Sequence, residues 1–271
     1  MNKAINDATL QQAGTIYQYL IALKDCFELN DNETLQIEIH GDVSIINNLG
    51  GLYQKEVKHH FGEKSLSNRD IDFWKTLANW YTDYERAIGF SHLILSTTAN
   101  ISTSSPFSAW NESKKEEKLR IVREIGNPTK EKEETFRSQY NRIFNDSYNE
   151  EHLLNILDRL TIASSQTSLT GISSQFSKYI RTIPEANRDG YIGALLGRIL
   201  KKITDPPHRW EVTKKNSMKY VKWNQSHMVL MAASLFLKNM PRLLSPAVKL
   251  PFSNEKSLLM QFEKLSIILK L

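Results

Sequence analysis

The sequence predicts an α/β fold. Residues 1–100 supply a core in the order helix, three strands, helix, strand, and residues 101–271 add a mostly helical extension. Three observations predict it. Apolar residues recur at helical spacing over 4–28 and 70–88. Between Thr34 and His59 they alternate with a period of two, and turn residues divide the stretch. Beyond residue 100 the periodic stretches are helical.

The first helix carries Tyr17, Leu20, Leu23 and Phe27 on one stripe, with Gly14 as a candidate break. From Thr34, Leu35, Ile37 and Ile39 alternate with Gln36, Glu38, His40 and Asp42, so a strand is expected that bends at Gly41 and continues into Val43–Ile46. Asn47, Asn48, Gly50 and Gly51 are turn residues, and Leu52–His59 should return as the second arm of a hairpin. Phe73, Leu77, Trp80 and Tyr84 mark the next helix, over Asp70–Ile88, and Ser91–Thr97 reads as a short buried strand. Ser/Thr-rich connectors follow at 96–108 and 161–174. Helices are expected at 113–126, 130–145, 149–160, 175–182, 188–204 and 226–239, and Asp205-Pro206-Pro207 must end one of them.

The N-terminus has no apolar targeting core, and the longest nearly apolar run, Met228–Leu237, is far short of the roughly 20 residues that span a bilayer, so a cytoplasmic location without a membrane partner is expected. The single cysteine, Cys26, cannot close an internal disulfide and should be a small buried residue. Net charge is +5, but it is unevenly placed: 8 Lys/Arg against 13 Asp/Glu over 1–100, and 17 against 6 over 171–271. A polyanion partner fits a basic half joined to an acidic one, because cations neutralise phosphates while carboxylates gather for a divalent metal. An ordinary basic protein has the same count.

A period of two puts Glu38, His40 and Asp42 on one strand face and Glu56 with Lys58 on another. Phosphodiester hydrolysis needs charge neutralised at phosphate and a strong nucleophile near neutral pH. A hard cation held by one or two carboxylates supplies both. Asp42 and Glu56 are the expected ligands for Mg²⁺, or Mn²⁺ in its place, with the Val57 carbonyl as a third oxygen. Lys58 would orient the attacking water and offset developing charge. Acid-x-Lys also occurs at Glu112-Ser113-Lys114 and Glu116-Glu117-Lys118, where a solvated helical face explains it. At Glu56-Val57-Lys58 the bland reading is an exposed ion pair on a sheet. Crowded carboxylates that repel without a cation argue against it. His40, His59 and His60 lack zinc spacing, since His59 and His60 point to opposite faces, although His60 is in phase with Lys58 and could touch substrate. No nucleophile elbow or phosphate-binding glycine loop is present.

Ala13–Tyr81 resembles the PD-(D/E)XK, restriction-endonuclease-like domain of bacterial anti-phage effectors, both those associated with CD-NTase signalling (CBASS) and those of Lamassu-type operons. The resemblance rests on Gly14 with Tyr17-Gln18, Ile37-Glu38-Ile39-His40-Gly41-Asp42, Glu56-Val57-Lys58-His59-His60, and Phe73-Trp74-Lys75-Thr76-Leu77-Ala78-Asn79-Trp80. It implies a metal-dependent endonuclease that cuts double-stranded DNA with low sequence specificity, active as a homo-oligomer and held or released by partner defence subunits. It adds Gln18 to the site and Trp74-Lys75 beside it; on their residue types alone, Trp74 should pack and Lys75 be solvated. Residues 101–271 are short and helical for a nucleotide-sensing domain, which puts a cyclic-oligonucleotide ligand in doubt and points to an SMC-like ATPase complex as partner.

DNA contact is expected from His60, Lys75, Arg198, Lys201, Lys202, Lys214, Lys215, Lys219 and Lys222, with Trp210, Tyr220 and Trp223 interleaved as stacking surfaces or core. Two other functions fit the same residues: a catalytically silent DNA-binding or scaffolding subunit, and an RNA nuclease.

Overall fold

A computed structural model of the chain describes residues 8–126 and 133–217. Helix α1 (Thr9–Glu28) leads into β1 (Thr34–Ile37), β2 (Val43–Asn47) and β3 (Gly50–Lys58). Next come α2 (Ile71–Thr82), the short α3 (Tyr84–Ala87) and β4 (Phe90–Thr97). The chain continues through α4 (Lys115–Gly126), α5 (Glu134–Ile143), α6 (Glu150–Arg159), β5 (Leu160–Ala163), α7 (Arg188–Lys201) and β6 (Glu211–Thr213). The fold is α/β, with a mixed six-stranded sheet in the order β5-β4-β3-β2-β1-β6. β3, β4 and β5 run parallel to one another, and the pairs β3–β2, β2–β1 and β1–β6 are antiparallel.

Register sorts the sheet into two faces. Leu35, Ile37, Val43, Ile45 and Val212 pack on the α1 side with Leu23, Cys26, Leu195 and Ile199. Leu93, Leu95, Leu160 and Ile162 pack on the other, against Phe73, Trp74, Leu77, Leu119, Val122 and Leu153. Cys26 is buried, as its size and polarity suggest. Asp70 caps α2 by accepting the Asp72 N–H, which is why the helix starts there.

Several expected elements come out differently. α1 passes through Gly14 unbroken, because helical neighbours carry a single solvent-facing glycine at a cost of only about 1 kcal/mol. The expected bent strand is two antiparallel strands, and residues 38–42 form the turn between them, closed by the Glu38 N–H on the Asp42 carbonyl at 3.2 Å. Positive φ at Glu38 (56°) and Gly41 (76°) is what reverses the chain. The 70–88 helix splits at Asp83, whose ψ of 47° departs from helical geometry. Two strands come from beyond residue 100: β5 lies in an expected Ser/Thr connector, and β6 was not anticipated. Three or four residues show too little periodicity to announce a strand, and both are held by pairing, to β4 and β1. A 3₁₀ turn over Ile172–Phe176 replaces the helix expected at 175–182. α7 gives way to a 3₁₀ turn that ends at Asp205, as the prolines require. The helix expected at 226–239 lies outside the described residues. Among the described residues no helix is long and apolar enough to cross a membrane.

Candidate active site

Glu56 and Lys58 stand at the C-terminal end of β3, where β2 has already diverged: the last β2–β3 partners on that side are Val43 and Lys55. The strand edge beyond Lys55 is therefore open, and the 38–42 turn brings Asp42 onto it. Asp42 Oδ2 accepts the Val57 N–H at 2.7 Å. The Lys58 carbonyl bonds the Thr98 N–H on the β4 side, so the peptide groups of Val57, one residue earlier, face the opposite edge. The Val57 carbonyl is thus on the edge where Asp42 lies. Lys58 Nζ donates to Glu56 Oε2 at 3.3 Å, and both side chains are largely sequestered, 24% and 14% exposed. The two carboxylates and the lysine expected from the sequence are brought together.

Gln18 completes the edge from α1. It is buried, and its Nε2 donates to Glu38 Oε1 at 2.8 Å and to the Asp42 carbonyl at 3.2 Å. One amide thus fixes both ends of the 38–42 turn. Glu38 and Asp42 meet through this turn and not through a shared strand face. Glu38 is exposed and engaged by Gln18, which makes it the rim of the site.

Burial pushes the Asp42 carboxyl above its usual range, against the pull of Lys58, the Val57 N–H and Lys75. Burial, and then the Asp42 charge, raise Glu56 as well. Burial draws the Lys58 ammonium down, but Glu56 and Asp42 outweigh it and hold Lys58 above the ordinary lysine range. Asp42, Glu56 and Glu38 are within electrostatic range of one another here, against the ammonium groups of Lys58 and Lys75. Clustered carboxylates of this kind are the chemistry of a cation site. Among the described residues no three His, Cys, Asp or Glu side chains form a metal cage. A hard divalent ion takes one or two carboxylates and keeps several waters, so the donor set of Asp42, Glu56 and the Val57 carbonyl fits it.

His59 and His60 have structural partners. His59 Nε2 accepts the Leu169 N–H at 3.1 Å, and its ring lies 4.8 Å from that of Tyr17. Burial lowers its pKa, which suits a neutral acceptor. His60 bonds Asp72 at 2.7 Å and sits 3.3 Å from Lys64 Nζ, which also pairs with Asp70. His60 therefore braces the start of α2. Trp74 packs fully buried, with its indole N–H on the Asn68 carbonyl at 2.8 Å, and Lys75 is exposed beside the site.

The expected basic patch is mixed. Lys201 and Lys215 are exposed, Lys202 lies 3.8 Å from Asp205, and Lys214 Nζ donates to the Phe27 carbonyl at the end of α1. The guanidinium of Arg198 is engaged. Trp210 is partly buried, donates to the Ile199 carbonyl at 2.7 Å and packs on Tyr19. Lys219, Tyr220, Lys222 and Trp223 lie outside the described residues.

Sequence reasoning missed the wall behind Glu56. Gln54, Asn79, Trp80, Asp83 and Arg86 line a cavity there with Gly41 and Glu56 itself. Gln54 is in phase with Glu56, and that period was the available signal.

No family model and no curated protein matches the chain. Among solved structures it is similar to the Cap4 SAVED/CARF-domain containing receptor of Moraxella osloensis, at 15% identity and a TM-score of 0.45 over 78% of this chain and 47% of that one. It is also similar to the Acinetobacter baumannii Cap4 SAVED/CARF-domain containing receptor with the cyclic trinucleotide 3′3′3′-cAAA, at 14% identity and a TM-score of 0.47 over 89% and 52%. The chain spans about half the length of these structures.

Proposed function

We propose that the chain is a metal-dependent endonuclease of the PD-(D/E)XK type, with Asp42, Glu56 and Lys58 at its centre and double-stranded DNA as substrate. The observation that carries the proposal is the convergence at the open edge of β3. Asp42 is pinned to the Val57 N–H at 2.7 Å, and Lys58 to Glu56 at 3.3 Å, with Glu38 also in electrostatic range of Glu56. Asp42, Glu56 and the Val57 carbonyl would hold Mg²⁺ or Mn²⁺. Such an ion supplies charge neutralisation at the phosphate and a water made nucleophilic near neutral pH.

The chain's own groups do the rest. Lys58, kept charged by its two carboxylates, orients water and faces the developing charge on phosphate. Gln18 holds the Asp42 turn by its carbonyl, so that the ligand geometry does not depend on solvent-exposed loop residues. Exposed Lys75, Lys201 and Lys215 are available to phosphates without carrying sequence information, which suits low specificity. The role in anti-phage defence, activation by homo-oligomeric assembly or by release from an SMC-like partner complex, and the organisation of residues 1–100 as nuclease core with 101–271 as extension rest on the family resemblance.

The test is incubation with supercoiled plasmid and Mg²⁺, with and without EDTA, over a range of protein concentrations, beside single-stranded DNA and RNA of matched sequence. Duplex cutting that EDTA abolishes supports the assignment. Cutting by Lys58→Ala or Glu56→Gln at the wild-type rate sinks it.

A further inference from the structure

A stretch that the sequence presents as a Ser/Thr-rich connector reaches the site from far along the chain. β5 ends at Ala163, and the residues after it extend its pairing along β4. The Ser165 N–H donates to the Ala99 carbonyl at 2.8 Å and the Gln166 N–H to the Thr97 carbonyl at 3.0 Å. Ser165 turns the backbone with a φ of 53°, in the left-handed region that residues other than glycine rarely adopt. Residues 167–169 then meet two side chains on the α1 side of the sheet. The Tyr17 hydroxyl donates to the Thr167 carbonyl at 2.9 Å, and the Leu169 N–H donates to His59 Nε2 at 3.1 Å. The rings of Tyr17 and His59 lie 4.8 Å apart, and Tyr17 is fully buried.

These two residues are the chain neighbours of Gln18 and Lys58. β3 ends at Lys58 and has lost β2 beyond Lys55, so the end of the strand is held from the β4 side. There the Thr98 N–H donates to the Lys58 carbonyl at 3.1 Å and the His60 N–H to Thr98 Oγ1 at 2.8 Å. His59 supplies a second hold. With its ring fixed by the connector on the α1 side, it sets the twist at which Lys58 leaves the strand towards Glu56 on the other face. Tyr17 does the same for α1. A hydrogen bond one residue before Gln18 fixes the rotation of the helix from which Gln18 reaches Glu38 and the Asp42 carbonyl. The same few connector residues thus bond β4, the end of β3 and α1.

We propose that Tyr17 and His59 are positioning residues for Asp42 and Lys58, and that the connector over residues 165–169 is part of the hydrolytic site although it lies outside residues 1–100. Positioning has meaning only under the nuclease reading, on which this assignment rests. The test uses the full chain with His59→Leu, which removes the acceptor, His59→Gln, whose Oε1 takes the place of Nε2, and Tyr17→Phe. Plasmid cleavage in Mg²⁺ gives kcat and KM, corrected for the folded fraction from urea unfolding, and hydrogen–deuterium exchange follows the amides of residues 165–169. His59→Leu should speed that exchange and lower kcat by about 10-fold to 100-fold, the cost of misplacing a reacting group by on the order of 1 Å, with KM held within about twofold. His59→Gln should return both to within about threefold of wild type, and Tyr17→Phe should lower kcat about threefold to tenfold, the value of one hydrogen bond. Should His59→Leu fail to fold, Tyr17→Phe, which removes one hydroxyl, carries the test. Faster exchange with an unchanged kcat of the folded protein overturns the proposal, and the connector is then a strap that holds α1 to the sheet. A rise in KM at constant kcat overturns it as well, by placing the connector in substrate binding. Wild-type protein without metal-dependent cutting removes the nuclease reading and this assignment with it, an outcome distinct from the other two, in which the wild type cuts.

Discussion

Lys55 and Lys58 lie three residues apart on β3, on opposite faces, and each is set against carboxylates. On the α1 side Lys55 meets Asp25 at 2.5 Å, and Tyr53 donates to the same carboxylate at 2.9 Å. One cation answers one anion, the hydroxyl takes up a further lone pair, and the Asp25 side chain is 5% exposed. Burial and the Asp25 charge keep the Tyr53 hydroxyl protonated, its pKa raised far above the usual tyrosine range. On the other face, Lys58 is shared between Glu56 and Asp42, with Glu38 and Asp72 also within electrostatic range. The same strand thus carries a closed ion pair that ties helix to sheet and an open, carboxylate-rich edge. Local charge balance separates a structural pair from a candidate site, and acid-x-Lys spacing alone does not.

The largest effect that would break this comparison is catalytic. Lys58→Ala and Glu56→Gln should each lower plasmid cleavage by about 10³-fold or more, roughly 4 kcal/mol of transition-state stabilisation, with the far-ultraviolet circular dichroism spectrum unchanged. Asp25→Ala should act oppositely. It strands a buried ammonium and should cost about 3 kcal/mol in urea unfolding, while the specific activity of the folded fraction stays close to wild type. Equal loss of activity and stability in both sets of variants would mean that the two faces do not differ in kind.

A smaller effect sharpens the contrast. Burial raises the carboxyls of Asp42 and Glu56, so between their ordinary and their folded pKa values the folded state binds more protons than the unfolded state. In that window stability falls as pH rises. Without metal, Glu56→Gln should therefore be more stable than wild type at pH 7, by about 0.5–2 kcal/mol, with the gap closing as pH is lowered towards 4.5. Mg²⁺ should raise the melting temperature of wild type and leave that of the variant almost unmoved, since an ion that binds only the folded state stabilises by mass action. A variant less stable than wild type in EDTA would contradict the raised Glu56 carboxyl. The smallest effect is on the pH profile: at Mg²⁺ well below saturation, where protons compete with the ion for the empty site, the acidic limb of cleavage should lie above the usual glutamate value of 4.5, and a limb at or below it under that condition would show that the carboxylates are not raised as the geometry implies.

The helix-strand-helix-strand order through Thr97 was legible because α1, β3, α2 and β4 are long enough to show their period, and Glu56 with Lys58 could be placed on one face from spacing alone. β5 and β6 were not legible, since segments of four and three residues become strands only when β4 and β1 offer an edge. His60 shows the same limit. β3 ends at Lys58, so no strand phase carries on to it, and Asp72, twelve residues away, takes its ring nitrogen.

The sequence by itself determined the α/β alternation, the single buried cysteine, and the residue types that gather at Asp42, Glu56 and Lys58, because each follows from a local period or from side-chain chemistry. Tertiary structure alone decided that Asp42 arrives on a turn and not a strand, that Gln18 clasps that turn, and that Gln54 and Trp80 come together in the wall behind Glu56. Each of these depends on where β2 leaves β3 and on which helix covers the gap, and contacts between distant segments leave no periodic trace in the chain.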